Sequence, residues 1–242
     1  MPYYKTIGIV LRRMNLGEAD RIVTVFTRDH GKVRAVAKGV RRIKSRMAGH
    51  LEPFGAVELM FATGRNLDVI TSARLVRSGE AIAETPSSLG YGFLLTEMLD
   101  RLVDEQFEQT QLYEVVEECF GDLIATGGDV VLELFFKLRL LDALGYHPQL
   151  SGCSICGRTD AVAYFFAAEI GGIVDSACAT ERRFSMELNE IKLWRLLMSH
   201  PLAEVRKVNE VRQAAQSSLE ACNFFYDYTF GKRFMSSSQL FD

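Results

Sequence analysis

The sequence is poor in several features whose scarcity narrows what the protein can be. It has only five prolines and five cysteines in 242 residues, and 48% of its residues are hydrophobic, so disordered, collagen-like and disulfide-scaffold classes are excluded. No apolar run approaches the roughly 18 to 20 residues of a membrane helix. The start lacks a signal-peptide pattern because Arg12 and Arg13 interrupt it. We therefore expect a cytoplasmic protein with no membrane association.

Motifs of the large enzyme classes are also missing. There is no P-loop, no G-x-S-x-G and no dinucleotide-binding fingerprint. One enzymatic alternative stays open, because His50 and Glu52 form the H-x-E half of a zinc deaminase signature and Cys153 and Cys156 form its C-x-x-C half. The two halves lie roughly one hundred residues apart, and Gly152 stands where that signature has proline. We therefore expect a protein without catalytic residues.

Charge is distributed unevenly along the chain. Residues 1–80 carry fifteen Lys or Arg against seven Asp or Glu, a net charge of +8, whereas residues 81–150 carry three against thirteen, a net charge of −10. The remaining residues sum to −1. This asymmetry predicts that the first third of the chain meets a polyanion.

The first eighty residues show short alternating segments separated by turn residues. The alternation predicts five strands, at residues 5–13, 20–27, 32–38, 56–62 and 67–75. Glycine, asparagine, aspartate and proline in the intervening segments are typical of turns. Five strands in about 75 residues indicate a small closed barrel, of which the OB-fold is the commonest five-stranded type. A five-stranded SH3-like barrel stays open as an alternative.

The rest of the chain changes to helical periodicity. The spacing of apolar residues predicts helices at residues 87–108, 112–126, 130–144, 187–199 and 202–228. A cysteine-bearing insertion at about residues 150–184 interrupts them. We therefore predict an α+β multidomain protein: a five-stranded OB-fold DNA-binding domain at residues 1–80, then a mainly helical domain at residues 81–242 with a small zinc-ribbon-like insertion.

A basic segment begins in the third predicted strand. Seven cations occur in fifteen residues without one acid: Lys32, Arg34, Lys38, Arg41, Arg42, Lys44 and Arg46. The first three fall on one face of a strand because successive side chains alternate. Protein surfaces ordinarily mix the two signs. We therefore predict contact with nucleic-acid phosphates, driven by counterion release and weak in sequence preference. An ordinary solvated face is the alternative.

The cysteine insertion has metal-ligand spacing. The pattern C-x2-C-x18-D-x2-C predicts a zinc ribbon whose ligands are Cys153, Cys156, Asp175 and Cys178. A carboxylate is unusual in a structural zinc site and should bind more weakly than a thiolate. Two alternatives remain, namely an insertion that packs without metal and a site completed by water or His147.

Several segments, taken in their order and spacing, resemble the RecO family of bacterial recombination mediators. They are residues 17–21 (GEADR), 37–42 (AKGVRR) with Lys44 and Ser45, 51–54 (LEPF), 144–148 (LGYHP), and Cys153 and Cys156 with the glycine pair at 171–172. The resemblance covers nearly the whole chain. It implies an N-terminal OB-fold and a helical, zinc-bearing remainder in a non-enzymatic DNA repair protein.

The resemblance also implies partners and site residues. It implies binding of single- and double-stranded DNA, annealing of complementary strands, and cooperation with RecR and the single-stranded DNA-binding protein (SSB) to load RecA in the bacterial nucleoid. It assigns Lys38, Arg41, Arg42 and Lys44 to phosphate contact. It assigns zinc to the three cysteines, whereas Asp175 stands where a cysteine is usual. The acidic tail of SSB would need a second basic groove, with these candidates: Arg182, Arg183, Arg206, Lys207 and Arg212.

Overall fold

The computed structural model describes residues 2–105, 109–179 and 184–231. The chain divides into two compact units, Met1–Gly127 and Gly128–Asp242. Among the described residues, no helix combines the length and the apolar character that a membrane span requires.

The first unit contains a closed five-stranded barrel followed by two helices. Its strands are β1 (Tyr3–Leu16), β2 (Asp20–Thr27), β3 (Gly31–Ala37), β4 (Ala56–Ala62) and β5 (Asp68–Arg77). Short 3-10 helices occupy Ala48–His50 and Glu80–Ala83, and the two α-helices are α1 (Pro86–Leu102) and α2 (Thr110–Thr126). The five predicted strands are thus confirmed, with β1 and β5 longer than expected.

The strand order β1-β2-β3-β5-β4 identifies the barrel as an OB-fold. β1 pairs with β4 through its first half and with β2 through its second half, so it belongs to both sides of the barrel. The barrel is closed by parallel pairing of β3 with β5 at Ala35 and Val36. The prediction of an OB-fold is confirmed.

Alternation in β3 divides its side chains between the core and the outside. Val33, Ala35 and Ala37 are buried in the barrel core, which also contains Val10, Leu59, Phe61 and Ile70. The intervening residues of β3 therefore lie on the outer face.

The two helices of the first unit begin and end for identifiable reasons. The Thr85 side chain caps α1 by accepting a hydrogen bond from the Ser88 amide, and Pro86 occupies the first turn, where its missing amide is not needed. α1 ends at Leu102, six residues before the predicted end. Val103 is extended, and Glu105 forms a parallel bridge with Lys32 of β3, so the chain leaves the helix to lie beside the barrel.

The second unit combines four helices with a three-stranded sheet. The helices are α3 (Val130–Ala143), α4 (Leu188–Ser199), α5 (Leu202–Val205) and α6 (Val211–Phe230), and the strands are β6 (Tyr164–Ala167), β7 (Gly172–Asp175) and β8 (Phe184–Met186), in the order β7-β6-β8. The single helix predicted at 202–228 is instead two. The chain turns at residues 206–210, where Glu210 adopts a left-handed conformation with φ 62°.

A buried polar network joins α3 to α6. Lys137 is 1% exposed, and its ammonium donates to Glu133 Oε1 at 2.5 Å and to Asn223 Oδ1 at 2.6 Å. The Tyr226 hydroxyl donates to the Lys137 carbonyl at 2.7 Å, and burial raises the pKa of Tyr226. Because each charge in the network has a partner, removal of one member would leave an uncompensated buried charge.

We predict that Gly8→Ala destabilises the barrel. A Cβ at Gly8 would lie 2.5 Å from Val25 Cγ1 and 2.8 Å from the Phe26 carbonyl oxygen, where β1 crosses from one side of the barrel to the other. We expect a loss of ~1–3 kcal/mol in the free energy of unfolding, as for other overpacked sites. Urea unfolding followed by circular dichroism measures it.

Gly49→Ala is the matched control, because a Cβ at Gly49 meets no atom within 4 Å. Its stability should change by no more than ~0.5 kcal/mol. Equal midpoints for the two variants would contradict the proposed steric constraint at Gly8.

Candidate nucleic-acid interface and metal centre

The two cations in the middle of β3 are paired with carboxylates of the same unit. Lys32 is buried, and its ammonium donates to the Asp100 carbonyl at 2.6 Å and lies 3.9 Å from Asp100 Oδ1. Burial lowers the pKa of Lys32, and the nearby carboxylates of Asp100 and Glu105 oppose that effect. Arg34 lies 3.6 Å from Glu105 Oε1. The structure therefore places these two predicted contact residues against acidic groups.

The other five predicted contact residues lie on the surface, from the end of β3 through the following loop. Lys38, Arg41, Arg42, Lys44 and Arg46 are all exposed. Within the part of the chain that the structure describes, none of the five forms an ion pair with a carboxylate. We call residues 38–46 the basic loop. Its cations are available to a solvent-borne polyanion, unlike Lys32 and Arg34.

Hydrogen bonds hold the basic loop against the turn between β1 and β2. The Gly39 amide donates to Asp20 Oδ1 at 2.7 Å, and the Arg41 amide donates to the Ala19 carbonyl at 2.9 Å. The Arg41 guanidinium donates to the Gly17 carbonyl at 2.8 Å. Gly39 has φ 66°, a conformation that favours glycine. The loop is thus fixed at its base, where the Arg41 guanidinium takes part in the bonding, while the side chains of its other cations are exposed.

The aromatic residues of the barrel contribute mainly to its interior. Phe26, Phe54 and Phe61 are buried, whereas Tyr3 is exposed. Tyr4 is half-buried, stacks on Phe61, and donates from its hydroxyl to Asp68 at 2.5 Å. The barrel therefore has no row of exposed aromatic rings among its described residues. These side chains are not assigned to stacking with nucleic-acid bases.

Three of the four predicted metal ligands come together in the second unit. The thiols of Cys153, Cys156 and Cys178 lie within 4.8 Å of one another, and this group could bind a metal ion. Cys153 and Cys156 lie in a tight turn before β6, closed by the Gly157 amide donating to the Cys153 carbonyl at 2.8 Å. Cys178 follows β7. Three thiols are a donor set that suits a soft or borderline cation such as zinc.

Asp175, the predicted fourth ligand, is not a member of this group. Its Oδ1 accepts hydrogen bonds from the Ala177 amide at 3.0 Å and the Ser176 hydroxyl at 3.1 Å, and its Oδ2 accepts one from Arg158 at 3.0 Å. The bond from Ala177 and the contacts with Ser176 and Arg158 hold the pKa of Asp175 below its usual value. The carboxylate is therefore ionised and already accepts three hydrogen bonds, and its role as the fourth metal ligand stays a prediction.

The cysteine cluster favours deprotonation of one thiol. Burial acts to raise the pKa of Cys153, but amide donors from Asp175, Cys156 and Ile155 outweigh it and lower this pKa to about 6. A hydrogen bond to Cys156, with partial burial and the nearby charge, raises the pKa of Cys178 to about 11. Three neighbouring thiolates repel one another, so a divalent cation would be needed to deprotonate all three near neutral pH.

Other residues considered from the sequence have different roles. His147 pairs with Asp142 at 2.7 Å and is not in the cysteine group. Glu52 is bonded to Arg13 and lies near Arg21, so its carboxylate has structural partners within the barrel unit. Among the described residues, the group of potential metal ligands consists of the three cysteines and contains neither His50 nor Glu52.

Of the basic residues considered for an acidic peptide, two stabilise the start of α3. Arg206 forms two bonds of 2.9 Å with Asp129, and Arg212 forms one of 3.1 Å. Burial alone would raise the pKa of Asp129, but bonds from Arg206 and the Leu132 amide lower it. Lys207 is exposed. Arg182 and Arg183 lie outside the described residues.

The sequence did not single out the acidic partners of the barrel cations or the Arg158–Asp175 pair. A local signal existed for Arg158, a cation two residues after Cys156 and within the same insertion as the unusual aspartate. The pairing of Lys32 with Asp100 joins residues that are 68 positions apart, and no local pattern indicates it.

An OB-fold barrel with a basic loop, followed by a helical unit that carries a cysteine cluster, defines a class of two-unit protein. Comparison with known families identifies the particular family. Residues 1–78 match the family model "Recombination protein O N terminal", and residues 83–238 match "Recombination protein O C terminal". The chain belongs to the RecO family of DNA repair proteins.

Individual relatives agree with this assignment. A DNA repair protein RecO from Roseiflexus sp. (strain RS-1) is 37% identical over 228 residues, which are 90% of this chain and 79% of the relative. One from Bifidobacterium adolescentis is 40% identical over 73% of this chain and 74% of the relative. One from Caldanaerobacter subterraneus is 30% identical over 94% of this chain and 92% of the relative.

We predict that Asp175→Cys tightens metal binding. The Asp175 amide already contacts the Cys153 thiol, so a thiol at this position would complete a set of four. We expect Co²⁺ affinity to rise on the order of tenfold or more, with stronger thiolate-to-metal absorption. A spectroscopic Co²⁺ titration with chelator competition measures both.

Asp160→Cys is the control, because it adds an exposed cysteine elsewhere in the same loop. It should leave the titration unchanged. Equal Co²⁺ affinities for Asp175→Cys and the unaltered protein would show that a side chain at position 175 does not reach the metal, and would contradict the prediction.

Proposed function

We propose that this protein is a non-enzymatic mediator of recombinational DNA repair. It binds single- and double-stranded DNA through the basic loop and anneals complementary strands. With RecR it helps to load RecA onto single strands covered by SSB. The family assignment supports the repair role, and the exposed cations of the basic loop support the DNA contact.

The observation that carries the proposal is the contrast between the two halves of the basic segment. Lys32 and Arg34 lie beside acidic groups, whereas the five cations from Lys38 to Arg46 have no carboxylate partner among the described residues. An unpaired cation on a surface gains most from a phosphate, because binding releases condensed counterions. We therefore assign phosphate contact to Lys38, Arg41, Arg42, Lys44 and Arg46.

Strand annealing follows from the same physics. Two complementary strands repel each other through their phosphates, and a fixed cluster of cations that holds both strands lowers this repulsion. No covalent bond forms or breaks, so no catalytic residue is required. Phosphate contacts carry no base identity, and the activity should therefore depend little on sequence.

The proposed function includes RecR, SSB and RecA as partners. The name of the relatives, DNA repair protein RecO, supports work within a recombination pathway in the bacterial cytoplasm, near the nucleoid. Contact with RecR and with the acidic tail of SSB would use residues other than those of the basic loop. In the second unit, the exposed Lys192 and Lys207 are better placed for an acidic peptide than Arg206 and Arg212, which bind Asp129.

We predict that Arg42→Gln with Lys44→Gln weakens DNA binding in a salt-dependent manner. Each phosphate contact to a single strand contributes ~0.7 to the slope of log affinity against log salt, so five contacts give about −3.5 and loss of two lowers the slope by about 1.4. Fluorescence anisotropy with an oligonucleotide, between about 50 and 200 mM salt, measures this slope. The annealing rate should fall in parallel.

The matched control is Lys192→Gln with Lys207→Gln, which makes the same change in charge at exposed positions of the second unit. Its slope should equal that of the unaltered protein. An unchanged slope for the Arg42 and Lys44 variant, or an equal loss in the control, would show that the basic loop is not the phosphate contact.

We propose further that the cysteine cluster binds a structural zinc ion. Cys153, Cys156 and Cys178 would supply three thiolates, and the ion would neutralise their repulsion. Elemental analysis of protein purified without chelator should give about one zinc per chain, and Cys156→Ser should lose most of it. Cys156 is exposed, so this replacement leaves core packing intact. No zinc in the unaltered protein would refute the proposal.

A further inference from the structure

One apolar side chain stands at the tip of the basic loop. Ile43 lies between Arg42 and Lys44, and it is 104% exposed, as open to solvent as in an extended peptide. Other apolar residues near it in sequence are used by the core: Val40 and Leu51 are both 0% exposed, and Met47 packs against the barrel core. Ile43 therefore contributes nothing to the packing of the barrel.

The exposure of Ile43 is a consequence of a defined turn. The Arg42 amide donates to the Gly39 carbonyl at 3.1 Å, and the Ser45 amide donates to the Arg42 carbonyl at 2.9 Å. The first turn therefore ends at Arg42, just before Ile43, and the second turn contains Ile43. Together with the bonds to Ala19 and Asp20 at the base of the loop, they present this residue outwards.

The neighbours of Ile43 restrict what it can meet. Arg42 and Lys44 have no carboxylate partner among the described residues, so a ligand that reaches Ile43 must carry negative charge on both sides of an apolar surface. A strand of nucleic acid has this arrangement, because each base lies between two phosphates. A lipid surface would also combine charge and apolar material, but one isoleucine buries too little area to hold a protein on a membrane.

We infer that Ile43 packs against unstacked bases while Arg42 and Lys44 hold the flanking phosphates. This inference rests on the proposed DNA binding, and it specifies single-stranded DNA as the preferred substrate. In intact duplex the bases are stacked, and insertion of an apolar wedge requires unstacking at a few kcal/mol per step. In a single strand the bases are accessible without that penalty. The loop therefore favours single strands and the open intermediates of annealing over closed duplex.

The inference separates two kinds of contact by their response to salt. A phosphate contact releases counterions and changes the slope of log affinity against log salt, whereas an apolar contact changes affinity without changing the slope. Ile43→Ser should therefore weaken binding to a single-stranded oligonucleotide about tenfold at every salt concentration, the factor expected for roughly 60 Å² of apolar surface. Binding to a blunt duplex should stay the same.

The experiment compares Ile43→Ser, Ile43→Leu and Val162→Ser with the unaltered protein. Val162 is 103% exposed in the second unit, which makes it a matched control for loss of an exposed branched side chain. The leucine variant should retain most of the affinity, and the Val162 variant should retain all of it. A single-stranded oligonucleotide with 2-aminopurine should change its fluorescence with the unaltered protein and much less with Ile43→Ser.

Each other outcome has a definite meaning. Equal affinities for Ile43→Ser and Val162→Ser, or a changed salt slope in Ile43→Ser, would overturn the base contact while leaving the phosphate contacts of Arg42 and Lys44 intact. Loss of binding to vesicles of anionic phospholipid, with DNA binding unchanged, would assign Ile43 to a membrane and also overturn it. If the unaltered protein binds no DNA, the proposed function itself fails.

Discussion

The parallel pairing of β3 with β5 is the constraint on which the arrangement of the first unit depends. It closes the barrel and fixes which face of β3 is buried. Val33, Ala35 and Ala37 must then face the core, so Lys32 and Arg34, which alternate with them, must lie on the outer face of the barrel. Val40, which follows β3, is also buried in the core. Its burial fixes the point at which the basic loop leaves the barrel. A one-residue shift of this register would bury the cations instead.

Acidic residues that follow the barrel form ion pairs with cations on the barrel surface. Asp100 lies near Arg12 and Lys32, Glu105 near Arg34, and Glu117 near Arg77. These carboxylates neutralise cations on the barrel wall and leave those of the loop available. Exposed pairs contribute little to stability, typically ~0–1 kcal/mol, so the main consequence of the pairs at Arg12 and Arg34 is to reduce the positive charge of the barrel wall.

Local sequence patterns were sufficient to predict the strands of the barrel. They were insufficient where the structure depends on contacts between distant segments. The five strands were predictable because alternation and turn residues are local. β1 nevertheless extends beyond its alternating segment, because it pairs with β4 from Tyr3 onwards and with β2 as far as Leu16. The end of α1 was not predictable, because Glu105 leaves the helix to bridge Lys32 of β3. For the candidate interface, the sequence indicated the exposed cations of the basic loop but not the carboxylates that pair with the cations of β3. Ion pairs of this kind join residues that are far apart in sequence.

Asp175, which lies close to the cysteine cluster, shows how backbone hydrogen bonds can hold a turn independently of the side chain. The residue at position 175 acts through its backbone and through its side chain. Its backbone contacts Cys153 and Cys178, and its side chain accepts a hydrogen bond within the turn. The backbone contact does not depend on the side chain, since the Cys178 amide donates to the Asp175 carbonyl at 2.9 Å. The aspartate side chain is bonded within the turn, and Arg158 balances the charge that it brings. The turn that places Cys178 beside Cys153 and Cys156 is therefore maintained by hydrogen bonds even where the fourth thiolate is missing.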